Sequence, residues 1–332
     1  MQVGENWVIV LAAGQGVRLS QLTTAAGGQV VPKQFCSLRG GDSFLEATLA
    51  RAERLVPRTR IVVVVAAEHA VWWRSQLGHL PPANVVVQPR NRGTAPGLLL
   101  PLLTILGRDP EASVLVLPSD HFVADEAGFA VWLQSALAGV VRGAAAIVLV
   151  GVAAEAPTSD YGWIVPAGTA GIRPVVAFVE KPPTAQAERL MANGAVWNTF
   201  IFAARGHALT ALAETCRPGL VAGLRSAMVL GGESLSRLYD TLPSIDLSRE
   251  VLQRAPDHLH VLTAPACGWT DLGTPERVAR CLAGLPARSA ARPTPRRFAH
   301  FDLASRIGAW PLHDDAARTR PACDAPGVLV GG

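Results

Sequence analysis

The residues best suited to chemistry stand at the end of an apolar run. Trp7 to Leu11 has the length and β-branched content of a buried strand, and it empties into Ala12-Ala13-Gly14-Gln15-Gly16-Val17-Arg18. Small residues and glycines let a backbone approach a ligand closely and leave N–H groups free for phosphate oxygens. Arg18 and, beyond a second glycine pair and Pro32, Lys33 can supply the positive charge. A dinucleotide fingerprint would need a third glycine where Leu19 stands, and a P-loop would need Gly-Lys-Ser/Thr, so neither template fits. On its own a short G-x-G is a weak signal, and a plain tight turn explains it as well.

Lysine usage adds a second pointer. Of 30 basic side chains only Lys33 and Lys181 are lysine, and both stand in motif-like stretches, PKQF and VEKPP. A compact ammonium and a planar guanidinium are not interchangeable at a crowded phosphate site, so these two positions suit a specific need for lysine.

Periodicity supplies the elements that must position such groups. Asp42 or Ser43 can cap a helix carrying Phe44, Leu45, Leu49 and Leu55 at helical spacing. Continuous apolar strands are expected at 61–67, 85–87, 114–117 and 145–150, with helices at 71–77, 94–106 and 129–141 between them. This alternation predicts a mostly parallel sheet with helices on both faces and ligands at the carboxyl ends of the strands. Gly14 to Arg18, Gln88 to Thr94 and Ser119 to His121 all fall at such ends. From Gly151 the texture changes: strands are expected at 161–166, 175–179, 195–204 and 258–263, helices at 184–193 and through much of 207–254, and a closing helix to about Leu282.

Composition excludes several classes. The chain of 332 residues has ample length for a substantial core, and with a mean hydropathy of +0.27 it still lacks an apolar run approaching the ~18 residues of a membrane span. No basic n-region with an apolar stretch opens it, which predicts a cytoplasmic protein. Its five cysteines are scattered without a C-x-x-C pair, against both a disulfide framework and a zinc site. The net charge of +4 resides mostly beyond Ala283, in a Pro/Arg/Ala-rich stretch without aromatic interleaving, which reads as a solvated extension rather than a nucleic-acid surface.

LAAGQGVRL, VPKQF, QPRNRGTAPG, LPSDHFV, YGWIVP, FVEKPP, VWNTFIF and GWTDLGT, in this order and spacing, resemble the sugar-1-phosphate nucleotidyltransferases, most narrowly the mannose-1-phosphate guanylyltransferases. The resemblance spans about residues 7–282. It implies an α/β, Rossmann-like (GT-A-like) domain over 1–282, with a nucleotide-binding part to about 150, an inserted sugar-phosphate-binding part over 151–282, and an extension at 283–332. The implied reaction joins a nucleoside triphosphate, GTP by the narrower match, to a sugar 1-phosphate, mannose 1-phosphate, with Mg²⁺ as cofactor and pyrophosphate released. Thymidylyl- or uridylyltransfer to glucose 1-phosphate, and a catalytically silent sugar-nucleotide sensor, remain the alternatives; a homodimer is compatible with the family.

Residue by residue, the resemblance places Leu11, Ala12, Ala13, Gly14 and Gly16 around the nucleotide, with Arg18 and Lys33 as catalytic cations beside the triphosphate. Gln88, Gly93 and Thr94 match the segment that reads the base. Asp120 and Asp271 match the metal ligands, although each could instead cap a following helix. Gly162, Glu180, Lys181 and Asn198 match the sugar-phosphate contacts; Glu180 and Lys181 could equally be a surface ion pair, and Asn198 could satisfy local backbone. Two departures stand out. TTAAGGQVV, between Leu22 and Pro32, is longer than the common loop, and Gly97 replaces a usual alanine, with only a slight helix-weakening effect expected.

Overall fold

The computed structural model describes residues 4–25, 27–285 and 301–307. In chain order, β1 (Asn6–Ala12) leads through α1 (Ser20–Thr23) to β2 (Cys36–Ser37), α2 (Phe44–Glu53), β3 (Ile61–Ala66), α3 (Ala70–Leu77), β4 (Val85–Gln88), α4 (Thr94–Leu106), β5 (Ser113–Pro118), α5 (Glu126–Val141) and β6 (Ile147–Ala153). There follow β7 (Gly162–Pro166), β8 (Ile172–Glu180), α6 (Thr184–Ala192), β9 (Val196–Arg205), α7 (Gly206–Cys216), α8 (Leu220–Leu230), α9 (Gly232–Thr241), β10 (His260–Ala264), α10 (Pro275–Gly284), β11 (Phe301–Asp302) and α11 (Ala304–Ile307).

Nine strands form one sheet in the order β4-β3-β1-β5-β9-β6-β10-β8-β7. Its first four strands are mutually parallel, as the strand–helix alternation requires, and β10 runs parallel to β6. The change of texture after Gly151 has a structural counterpart: β9 enters antiparallel between β5 and β6, β8 runs against β10, and β7 pairs antiparallel with β8 and with the start of β9. The insertion therefore completes the sheet rather than forming a separate one.

Strand residues are apolar on both faces because both faces are covered. In β1, Val8, Val10 and Ala12 join the cluster under α2 and α5, while Trp7 and Ile9 join the one under α4, α7 and α8. Local signals set the helix ends. Ser43 caps α2 in a capping box: Glu46 N donates to Ser43 Oγ at 3.1 Å and Ser43 N to Glu46 Oε2 at 2.8 Å. Asp125 caps α5, accepting from Gly128 N at 2.9 Å, so that helix starts three residues before the apolar periodicity shows it. Thr274 caps α10, with Pro275 in the first turn.

The extension expected beyond 282 is partly ordered. α10 continues to Gly284, and β11 pairs in parallel with β2, matching Phe301 to Cys36 and Asp302 to Ser37. Leu303 is fully buried in the main core, and Arg306 donates to Thr24 O at 3.1 Å. This strap lies directly after Lys33-Gln34-Phe35 in space, so it braces the segment carrying the lysine. The remainder of the extension lies outside the described residues. Leu303→Ala is expected to cost about 2–4 kcal/mol in denaturant unfolding, as a buried leucine would and a solvated tail residue would not.

Candidate active site

β1 delivers the glycine turn, and neighbouring groups fix its shape. Gly16 adopts φ 62°, and a Cβ there would come within 3.1 Å of Lys33 N, so both conformation and closeness demand glycine. Gln34 Nε2 donates to Ala12 O at 3.1 Å and to Gly14 O at 2.9 Å, pinning the turn from the PKQF segment. At the end of β5, Ser119 donates to Leu11 O through both its N–H, at 3.1 Å, and its hydroxyl, at 2.7 Å. Gln34 and Ser119 escaped sequence reading because each only satisfies backbone that becomes near in three dimensions.

Lys33 is 4% exposed and sits between the two aspartates. Its ammonium lies 3.0 Å from Asp120 Oδ2 and donates to the main-chain carbonyl of Asp271. The segments bearing the acids are stitched together by reciprocal bonds, Phe122 N to Thr270 O and Thr270 N to Phe122 O, each 2.9 Å. Neither acid caps a helix, since Asp125 and Thr274 fill those positions. Arg18 Nη2 is 3.2 Å from Asp271 Oδ2 and its side chain is 59% exposed, so this pair is accessible. Asp271 Oδ1 is more heavily used: it accepts from Tyr161 Oη at 2.8 Å, Arg277 Nη1 at 2.9 Å and Gly273 N at 2.9 Å.

Electrostatics keep both acids ionised. Burial works to raise the Asp271 carboxyl, but Lys33 and Arg277, with the Tyr161 hydrogen bond, outweigh it and bring the pKa to about 2. Burial opposes ionisation of Asp120 as well, yet Lys33, by charge and by hydrogen bond, overcomes it and the carboxyl is lowered. His121 is pushed to about 4, chiefly by burial, and its Nδ1 accepts from Trp269 Nε1 at 3.3 Å, as a neutral, packed histidine does. Asp120 and Asp271 are the carboxylates that could hold a divalent ion. Among the described residues no cluster of three or more His, Cys, Asp or Glu is arranged for one. Two carboxylates beside a glycine turn fit a cation that would take its remaining oxygens from substrate and water.

The base segment is more committed than its sequence implies. Gly93 has φ 84°, and a Cβ there would strike Ile245 O at 2.4 Å. Thr94 Oγ1 accepts from Leu247 N at 2.7 Å. Gln88, by contrast, is 1% exposed and its Oε1 is buried without a partner among the described residues. A Cβ on Gly97 would come within 3.3 Å of that oxygen, so this glycine borders the group expected to read the base and does more than loosen a helix.

The sugar-phosphate candidates gather where β7, β8 and β9 meet. A Cβ on Gly162 would lie 2.5 Å from Glu180 Oε2, so the carboxylate occupies the space a side chain would fill. Burial raises Glu180 above the usual carboxylate range despite Lys181, whose Nζ is 3.3 Å away. Asn198 Oδ1 accepts from Phe200 N at 3.1 Å, the local role open to it in the sequence, while its amide N–H groups have no partner among the described residues. Gln253, not singled out in sequence, accepts from Glu180 N at 2.7 Å and ties the 245–253 segment to this end of the cleft.

Fold and site together define an α/β protein that collects cations and carboxylates around a glycine turn at its strand ends. Residues 7–284 match the Nucleotidyl transferase family, and the chain belongs to it. It is 31% identical over 281 residues to the xanthan biosynthesis protein XanB of Xanthomonas campestris pv. campestris (strain B100), covering 80% of this chain and 57% of that protein. It is 28% identical over 291 residues to mannose-1-phosphate guanylyltransferase of Escherichia coli (strain K12), covering 82% and 59% respectively. The chain thus spans less than two thirds of these relatives. Among solved structures, one described as mannose-1-phosphate geranyltransferase from Thermus thermophilus superposes with a TM-score of 0.73 at 26% identity, covering 85% of this chain and 81% of that one. The inositol-1-phosphate CTP transferase from T. maritima shares the fold at a TM-score of 0.53 and 17% identity, over 86% and 100% of the two chains. No helix among the described residues is long and apolar enough to cross a membrane.

Because the folded His121 titrates near 4 rather than 6.5, it favours folding above 6.5, and that contribution is lost as pH falls through about 4. Denaturant unfolding across this range is expected to show the wild type losing stability relative to His121→Gln.

Proposed function

We propose that this protein transfers a guanylyl group from GTP to mannose 1-phosphate, releasing pyrophosphate, with Mg²⁺ held by Asp120 and Asp271. The observation that carries this reading is the convergence of the Asp120 carboxylate and the Asp271 main-chain carbonyl on the buried Lys33 beside the glycine turn, with the Asp271 carboxylate paired to Arg18. A sugar phosphate oxygen is already an anion, so attack on the α-phosphorus requires no general base. The obstacle is repulsion between two polyanions, and catalysis rests on positioning and charge neutralisation.

Each cation here is paired with an acid, Lys33 with Asp120 and Arg18 with Asp271. Substrate phosphates compete for those pairs: Arg18, the exposed partner, turns to the β- and γ-phosphates, and Lys33 faces the α-phosphoryl. Bound Mg²⁺ supplies further charge neutralisation at the phosphate oxygens. The attacking oxygen forms its bond to the α-phosphorus as the bond to the bridging oxygen of pyrophosphate breaks, and Arg18 and Lys33 stabilise the charge gathering on the leaving group. At the far end, Glu180 and Asn198 address sugar hydroxyls, and Lys181 the sugar phosphate.

The Gln88 side chain is buried, and turned toward a bound nucleotide its Oε1 would accept from a base N–H donor. Guanine presents N1–H and an exocyclic amine. Uracil and thymine present N3–H, which keeps thymidylyl- or uridylyltransfer as the second reading; the mannose-1-phosphate guanylyltransferase relatives favour guanine. A silent sensor would not need two ionised carboxylates in the neighbourhood of one buried ammonium.

A panel of nucleoside triphosphates and sugar 1-phosphates with Mg²⁺ is expected to release pyrophosphate fastest for GTP with mannose 1-phosphate. Preference for dTTP or UTP would transfer the assignment to the second reading, and no turnover with any pair would refute both. Arg18→Met is expected to lower kcat by roughly 10²–10³-fold with an unchanged melting temperature, since the side chain is largely exposed.

A further inference from the structure

Arg277, on the first turn of α10, belongs to none of the motifs that point to the reaction, yet it is built into the acidic centre. Nη1 donates to Asp271 Oδ1 at 2.9 Å, and Nη2 donates to Asp160 Oδ2 at 2.6 Å. The guanidinium lies over the Tyr161 ring, 4.4 Å from its centroid, while Tyr161 Oη itself donates to Asp271 Oδ1. Tyr161 is held in turn against Trp197 and Trp269, at centroid distances of 4.8 and 5.5 Å. Arg277 is thus sandwiched, nearly buried and bidentate between two acids, a geometry that a lysine cannot reproduce.

We infer that Arg277, with Asp160 as its counter-ion, is a positioning residue that turns Asp271 Oδ2 toward a divalent cation. The proposal rests on the reading of Asp271 as a metal-binding carboxylate. With Tyr161, Arg277 and Gly273 N all on Oδ1, that oxygen has no capacity left, and among the described residues the hydrogen-bond partner of Oδ2 is the exposed, displaceable Arg18. When phosphates draw Arg18 and Lys33 away, Arg277 remains as the permanent partner of Asp271, so the carboxylate neither rotates nor stands uncompensated. A cation so close to a metal site would by itself repel the metal. Asp160 offsets that: Asp120, Asp160 and Asp271 face Arg18, Lys33 and Arg277, and charges balance before substrate enters.

The test is a titration of Mn²⁺, followed by electron paramagnetic resonance, into wild type, Arg277→Met, Arg277→Lys and Asp160→Asn, each with the α,β-methylene analogue of GTP present. Arg277→Met is expected to bind Mn²⁺ about 10-fold or more weakly, in the range seen when groups orienting metal ligands are removed. Arg277→Lys should fail to rescue it, because one ammonium cannot span both acids. Asp160→Asn, a change at a partly exposed residue that leaves the fold intact, should weaken binding by roughly 3- to 10-fold. Steady-state rates should show a matching rise in the Mg²⁺ concentration for half-activation, with KM for the sugar phosphate unchanged. Wild-type binding of Mn²⁺ with equal binding by folded Arg277→Met and Asp160→Asn would overturn the positioning role alone. A wild type that binds no Mn²⁺ with the analogue would overturn it together with the metal reading beneath it.

Discussion

The interaction on which the site depends is the burial of one ammonium between a carboxylate and a main-chain carbonyl that come from distant parts of the chain. Lys33 is almost wholly removed from water, and a lone buried cation would be very costly. Asp120 and the carbonyl of Asp271 make it tolerable. The converse also holds, since Lys33 is the foremost influence opposing the desolvation of both carboxylates. Lys33 could not occupy its place without these partners, so the lysine segment, the end of β5 and the loop before α10 are energetically coupled.

Much of the surrounding architecture serves to hold those three segments in register. Ser119 fastens the end of β5 to β1, and Gln34 fastens the turn to the lysine segment. The Phe122–Thr270 pairing fastens the two acidic segments to one another. On the outer side, the β11 strap closes over β2, just past the lysine. These contacts are mostly to backbone, which suits a task of placement rather than chemistry. A comparable arrangement joins the base and sugar ends: Ile245 and Leu247 bond to the 92–95 loop, while Gln253 bonds to Glu180. The cleft between these ends is therefore a continuous hydrogen-bonded frame.

The strands and helices of the first half were legible because each is a continuous apolar run or a 3.6-residue period bounded by turn residues, and both patterns are local. Helix starts were less so: α5 begins at an Asp125 cap that apolar spacing does not mark. The candidate acids and cations could be named from motifs, but not their pairing. Asp160 and Arg277 lie outside every motif, so a linear reading passes over them; only the fold brings Asp160 to Arg277 and Arg277 to Asp271. The ordered strap at 301–307 was equally hidden, since composition averages over a whole segment while β11 uses two residues and one buried leucine.

What the sequence determined alone was the alternation of elements, the glycine turn with its positive-φ position, and the identity of groups able to carry charge or accept hydrogen bonds. These follow from backbone sterics and side-chain chemistry, which act over a few residues. Tertiary structure decided which charges neutralise which, that Gln88 keeps an oxygen unpaired among the described residues, that Gly97 borders it, and that Oδ2 of Asp271 is held by the exposed Arg18 while Oδ1 is held by buried or nearly buried groups. Those outcomes depend on desolvation and on distances between residues far apart in the chain, quantities that exist only once the sheet has closed.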